Sequence, residues 1–337
     1  MEFDNKLNLF RGAAVYGDGI SAYPDHYKEA NPIYSDIVNW SVRNPEKASK
    51  NCYSGHLMCC LSTNCVFYEV YNIIVKIAAE LNIYESYDIY VEKAKKLKKS
   101  INKNFWNEDL GTYVYLIDEI GICNHQEGLG LAFVILFNIA DKEKIEKIFK
   151  NIKLTNYGIA CVYPSFKRYK LDENSFGRHS GTVWPFIQMF FAEAAVKAGY
   201  IEEYENEIKC LTELVLKYDG FYELYHPLTG EPYGGIQEAI DWRIWESVPR
   251  QTWSATGYFK SILVGIFGIS FDVDKILFSS NNTNLLNYAN LNGIKISDFI
   301  INLSYKKTGE QSITINGKSM DYISRNSKGE FNVVITV

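Results

Sequence analysis

The stretch MCCLSTNCVFYEVYNIIVKIAAEL, residues 58–81, decides the fold class. Its apolar residues recur at Leu61, Cys65, Tyr68, Val70, Ile73, Ile74, Ile77, Ala78 and Leu81, a spacing that gathers them on one broad helical face. Asn82 is a stop signal. A second periodic stretch follows from about Ser86 to Asn104, with Tyr87, Tyr90, Val91, Ala94, Leu97 and Ile101 aligned. A link this short predicts an antiparallel helical hairpin. The pattern then recurs. Gln126 to Ala140 reads as a helix, and Asp141 can cap the next one, which carries Ile145, Ile148 and Phe149. Thr182 to Ala198 is strongly helical and Gly199 ends it, Glu202 to Tyr218 pairs with it, and Thr252 to Phe267 runs to Gly268.

Between the hairpins lie loops rich in aromatic residues and glycine. Two resemble one another, Phe105 to Tyr113 and Phe221 to Gly230, so the chain repeats a unit of two helices and an ornate loop. Helical repeats that close into a ring bury their inner faces and gather such loops at one end. After Ile269 the character changes. Residues 299–305, 311–318 and 331–337 alternate like strands. The expected organisation is therefore a mainly α helical-hairpin domain over 1–269 and a small β-rich appendage over 270–337.

The 337 residues carry a net charge of −5 and are 47% hydrophobic. That is enough for a sizeable core, and the acidic balance argues against a nucleic-acid partner. No apolar run reaches the roughly 18 residues that suggest a membrane span. The first ten residues are charged and lack the apolar core of an export signal, so a cytoplasmic location is expected. Seven cysteines, an odd number, favour reduced thiols. Cys59, Cys60 and Cys65 have no C-x-x-C spacing and sit in an apolar helical stretch, so they read as buried thiols and not as a zinc site. Neither His125 nor His179 has a ligand-spaced partner, and no metal is expected.

Aromatic residues make up 15% of the chain. They can fill a bulky core, or they can stack on the apolar C–H faces of sugar rings. Their concentration in loops favours the second use. Cleaving a glycosidic bond takes two carboxyl groups, which in an inverting enzyme stand roughly 6.5–9.5 Å apart. Asp18, between Gly17 and Gly19, is one candidate; read plainly, it is a turn aspartate. Glu223, among Phe221, Tyr222 and Tyr225, is the other. A carboxylate among aromatics is costly to bury unless it is used or paired. His125, Gln126 and Glu127 open a helix, where the dipole alone would favour Glu127. Arg178, His179 and Trp184 precede the strongest helix, where Pro185 suits the first turn, and together make a plausible hydroxyl-binding and stacking set.

These motifs resemble the six-hairpin glycosidases, the (α/α)6-barrel group of trehalases, processing α-glucosidases and mannosylglycerate hydrolases, and among them the bacterial proteins with a mannosylglycerate-hydrolase-like domain. The resemblance covers roughly residues 10–268. It is carried by Tyr16-Gly17-Asp18-Gly19-Ile20-Ser21-Ala22-Tyr23-Pro24, by Leu61-Ser62-Thr63-Asn64, by Gly181-Thr182-Val183-Trp184-Pro185, by the segment from Phe221 to Gly230, and by Gln251-Thr252-Trp253-Ser254-Ala255, in that order. It implies a toroid of helical hairpins and a glycosidase that needs no cofactor and inverts an α-linked oligosaccharide or glycoside. Asp18 would be the general acid, with Asp25 and Asp36 as rivals, and Glu223 the general base. Tyr16, His125, Gln126, Glu127, Arg178, His179, Trp184, Tyr225, Gln237 and Trp253 would line the cleft. A full ring has twelve helices where this sequence shows about eight or nine, so the barrel is expected to lack its front sector, which another segment or a second chain would supply. Two other readings stay open: an inverting sugar phosphorylase, and a non-catalytic carbohydrate- or partner-binding remnant.

Overall fold

In the computed structural model, residues 2–16, 22–25, 58–118, 120–236 and 244–337 are described. Seven α-helices lie among them: α1 (Leu61–Glu80), α2 (Tyr84–Phe105), α3 (Gly128–Leu136), α4 (Lys142–Asn151), α5 (Pro185–Ala198), α6 (Ile201–Tyr218) and α7 (Thr252–Gly265). All seven fall within expected helical stretches or within a few residues of them. Three starts are later than the periodicity suggests, because strand pairing precedes the helices: α5 begins at Pro185 and not Thr182, after Val183 bridges Tyr225. Cys59–Cys60 is a strand and not helix, and so is Gln126–Glu127.

The helices divide by their apolar surface. Helix α3 is buried over all but its last residue, and α5 buries Ile187, Met189, Phe191 and Ala192 to Ala195. Helices α2, α4 and α6 each bury only a stripe, such as Leu97, Ile101 and Phe105 on α2. A helix apolar on every side must be surrounded, whereas a striped one covers it and faces water. The packing follows. Helix α1 contacts α3, α3 contacts α5 and α5 contacts α7, making an inner arc, while α2 backs α1 and α6 backs α5. Gly199, at φ 83°, gives α5 its left-handed C-cap, and Asn82 and Asp219 take the same region after α1 and α6.

The chain after α7 is a β structure. Its main sheet has five strands: β1 (Tyr288–Ile296), β2 (Phe299–Lys306), β3 (Ser312–Ile315), β4 (Lys318–Ser319) and β5 (Gly329–Thr336). Their order across the sheet is β1, β2, β5, β3, β4, with β2 and β5 parallel and the other pairs antiparallel. Phe299, Ile301, Leu303 and Tyr305 alternate inward on β2, the period-two pattern of a half-buried strand. They meet Val333 and Ile335 of β5 and, from the helical side, Ile266 and Phe267, forming a core separate from that of the helices.

Candidate active site

Glu223 stands in the loop after α6. Its backbone N–H donates to the Val248 carbonyl at 2.9 Å, and two residues on, Tyr225 pairs with Val183 through N–H to O bonds of 2.9 and 3.1 Å. Ser247 Oγ accepts from the Leu224 N–H at 2.9 Å and donates to the Leu224 carbonyl at 2.7 Å. The glutamate is therefore held by backbone on both sides, as a loop residue must be to keep a fixed side chain. It is buried. The Arg178 guanidinium donates to its Oε1 at 2.7 Å, and its Oε2 is buried with no hydrogen-bond partner among the described residues. A charge removed from water needs such a partner, and one oxygen is left for something else.

Arg178 is aimed by its own turn. Gly177 and Ser180 exchange backbone bonds of 3.0 and 3.1 Å, and the Arg178 N–H donates to the Ile236 carbonyl. Gly235 crosses so close that a Cβ there would lie 2.3 Å from the Arg178 Cα, so no other residue fits that crossing. The next residue, His179, is buried. Its ring stacks on Trp184 at 4.9 Å and meets Tyr16 edge-on at 5.9 Å. Burial, aided by the Arg178 charge, pulls His179 down to about 3, so the imidazole is neutral at any ordinary pH. Trp184 in turn stacks on Trp253 at 5.7 Å and 5°, and Trp253 is 54% exposed. Tyr16, His179, Trp184 and Trp253 thus form an aromatic file that runs from the interior to the surface.

Three expected cleft residues spend side-chain atoms on backbone groups. Gln126 spends its amide on the Lys153 backbone, accepting from the N–H and donating to the carbonyl, both at 2.9 Å. Tyr225 is fully buried, and its hydroxyl accepts from the Tyr222 N–H and donates to the Gly220 carbonyl. Glu127 does not serve its own helix through its side chain. It accepts from the Ser62 N–H at 3.0 Å, capping the first turn of α1 across the fold. Burial pushes Glu127 up to about 8, outweighing the hydrogen bonds from Ser62. His125 stacks on Phe166 at 4.1 Å, beside Cys123. Asp25, a rival acid, accepts from the Arg168 N–H at 2.7 Å. Asp18, Asp36 and Gln237 lie outside the described residues. The helical and apolar pattern gave no sign of Ser247 and Val248, which dock Glu223; serine and valine in a loop carry no chemical signature.

Among the described residues Cys59, Cys60, Cys65 and Cys161 are buried, and burial pushes Cys59 and Cys161 up to about 12, which disfavours the thiolate needed for nucleophilic or metal chemistry. Among the described residues no group of three or more histidine, cysteine or acidic side chains is placed to hold a metal ion, and no helix is long and apolar enough to cross a membrane.

An arc of paired helices with a buried, arginine-held glutamate and an aromatic file at its loops defines the class: a carbohydrate-active helical-hairpin domain. The mannosylglycerate hydrolase MGH1-like glycoside hydrolase domain matches residues 13–254, and the chain belongs to that family. Among solved structures, the chain is similar to a sialidase at TM-score 0.59 and 15% identity, over 80% of this chain and 25% of that one. It is similar to the GH63 mannosylglycerate hydrolase of Thermus thermophilus, solved in complex with glucose, at TM-score 0.52 and 15% identity, over 70% of this chain and 58% of that one. A neutral trehalase of Saccharomyces cerevisiae aligns at TM-score 0.49 and 13% identity, over 77% of this chain and 53% of that one. The chain thus spans about a quarter to three-fifths of the structures it matches. No curated protein matches by sequence.

Proposed function

We propose that the chain is the catalytic part of a glycoside hydrolase that cleaves an α-linked saccharide with inversion, with Glu223 as general base and Asp18 as general acid. The observation that carries this reading is the state of Glu223: buried, charge-paired through Oε1 to Arg178, with Oε2 unclaimed among the described residues. An oxygen so held accepts a proton from a water as that water attacks the anomeric carbon, while an acid across the bond protonates the leaving oxygen. The exposed indole of Trp253 offers a flat face to the sugar, and the buried Trp184 and neutral His179 stack in file with it without adding charge. The inner arc reads as a sector of an (α/α)6 ring. Its end helices support this by exposing apolar side chains: Val70, Ile73 and Ile77 on α1, Trp253 and Phe259 on α7.

Glu223→Gln keeps the shape and removes the base. Turnover should fall on the order of 10³-fold with circular dichroism unchanged, and Asp18→Asn should do the same. The assay is reducing-sugar release from a saccharide panel, with the product anomer read by NMR. Near-normal rates in Glu223→Gln would exclude this glutamate as the base. Saccharide binding by calorimetry without any release would assign the chain to carbohydrate binding alone.

A further inference from the structure

The Glu223 loop continues as His226-Pro227-Leu228-Thr229-Gly230, and His226 uses its two ring nitrogens differently. Nδ1 accepts from the backbone N–H groups of Leu228 at 3.3 Å and Thr229 at 3.2 Å. Gly230, at φ 71°, completes this turn by donating its N–H to the His226 carbonyl at 2.9 Å. Nε2 lies 2.8 Å from the Asn174 carbonyl oxygen. A backbone N–H donates and a carbonyl accepts, so the ring proton sits on Nε2 and the Nδ1 lone pair faces the turn. The ring is buried. Phe176 and Tyr233 meet it edge-on at 5.1 and 4.9 Å, both at 86°, so its plane is set from two sides.

The Nε2 bond joins segments 52 residues apart in sequence. Asn174 opens the stretch that carries Arg178, and His226 lies on the stretch that carries Glu223. Beyond this bond the two stretches run together. The Phe176 N–H donates to the Tyr233 hydroxyl at 3.2 Å, the Ile236 N–H to the Phe176 carbonyl at 2.8 Å, and Arg178 Nη1 to the Gly234 carbonyl at 3.3 Å. Glu223 itself is docked elsewhere, on Val248. What has to be brought to it is the guanidinium, which sits on a long, rotatable side chain. Arg178 Nη2 stands 2.7 Å from Glu223 Oε1 only while its backbone keeps its distance. A buried carboxylate that loses its cation is driven to the neutral form, and a neutral glutamate cannot act as a base.

We propose that His226 is a positioning residue: its Nε2–H bond to the Asn174 carbonyl holds the Arg178 loop against the Glu223 loop and so keeps the guanidinium on Glu223. Its effect on rate rests on the hydrolase reading given above. Substitution separates the two nitrogens. His226→Asn puts an acceptor where Nδ1 stands, as asparagine does in turns, so the turn survives; the side chain is too short to reach Asn174. His226→Gln extends as far as Nε2 and can donate to Asn174, but leaves the Leu228 and Thr229 N–H groups without this acceptor.

Steady-state kinetics on the saccharide that wild-type protein cleaves fastest, and peptide-level hydrogen exchange, test this once thermal melts show both variants folded. In His226→Asn, kcat should fall about 10- to 100-fold while KM stays within about twofold. In His226→Gln, kcat should stay within about threefold of wild type. Exchange over residues 174–180 should speed up in His226→Asn and not in His226→Gln, and residues 227–231 should show the reverse. A role in turn structure alone gives the opposite ranking, with His226→Gln the poorer enzyme. That ranking, equal losses in the two variants, or wild-type rates in His226→Asn overturns the proposal. If wild-type protein cleaves no saccharide, the hydrolase reading falls, and exchange decides the clasp: faster exchange over 174–180 in His226→Asn sustains it and unchanged exchange ends it.

Discussion

Glu127 is a carboxyl kept protonated by its surroundings, and this has a consequence for stability. Its folded value, about 8, lies above the ordinary 4.5, as does that of Glu207, also raised by burial to about 8. Between those limits the folded protein holds protons that the unfolded chain has released, so stability falls as pH rises from about 4.5 to about 8 and then levels off. His179 works the other way: folded near 3, it makes stability fall as pH drops below the ordinary 6.5. The two glutamates dominate between pH 6.5 and 8. Glu127→Gln keeps an acceptor for the Ser62 N–H and removes one titration, so the loss of stability over that interval should shrink by about half, a change of a few kcal/mol at most. Urea melts at pH 5, 6.5 and 8 check it, and parallel curves for the two proteins would remove Glu127 as the source. At this scale the sequence was informative about where charge would be buried and silent about how it is held. A glutamate among aromatics and an Arg-His pair before a helix mark positions where charge and burial conflict, and Glu223 and Arg178 resolve that conflict against each other. Which helix Glu127 caps, or that Gln126 clamps Lys153, depends on segments distant in sequence whose meeting no local pattern encodes.

Among the elements, α4 has the clearest sequence signature and the smallest buried stripe. Asp141 accepts from the Lys144 N–H at 2.9 Å, and only Ile148 and Phe149 are buried on this helix. With so little packing, the cap is a large share of what holds the first turn. Asp141→Ala should therefore cost about 1 kcal/mol and speed amide exchange in the first turn of α4 while α3 stays protected. Hydrogen-exchange mass spectrometry reads this directly, and equal protection in the two proteins would show that packing alone suffices. The helices as a set were legible because each buries one face, so a period of 3.6 is written into the residues. Strand β1 was not. Its residues Tyr288, Asn290, Leu291, Asn292 and Gly293 are exposed, and a bulge between Leu291 and Ile294 shifts its pairing with β2. A mostly exposed strand with a bulge has little apolar alternation to read. The strands Cys59–Cys60 and Gln126–Glu127 are two residues each, too short for any period.

For the whole molecule, the question is how two hydrophobic cores behave as one body. Helix α7 bridges them: Tyr258 and Ile262 pack on the helical core, while Leu263 and the following Ile266 face the β core. Gly265 permits Tyr204 of α6 to lie against this helix, since a Cβ there would meet the Tyr204 ring at 2.0 Å, and the Tyr204 hydroxyl donates to the Ser261 carbonyl. The second tie is polar. Glu205, buried on α6, accepts from Thr283 Oγ1 at 3.1 Å and from the Asn284 N–H, with Lys209 at 3.5 Å. Hydrogen bonds to a charged, buried acceptor contribute roughly 1.5–3 kcal/mol each, so these two carry much of the coupling that the α7 contact does not. Glu205→Ala removes them and leaves the Thr283 hydroxyl proton and the Asn284 N–H without this acceptor. All six tryptophans precede residue 270, so indole fluorescence follows the helical part alone, and amide exchange in β2 and β5 follows the other. In the native protein the two should report one urea midpoint. In Glu205→Ala the β strands should open at lower urea than the tryptophan transition. Coincident midpoints in the variant would mean that α7 alone makes the two cores cooperative.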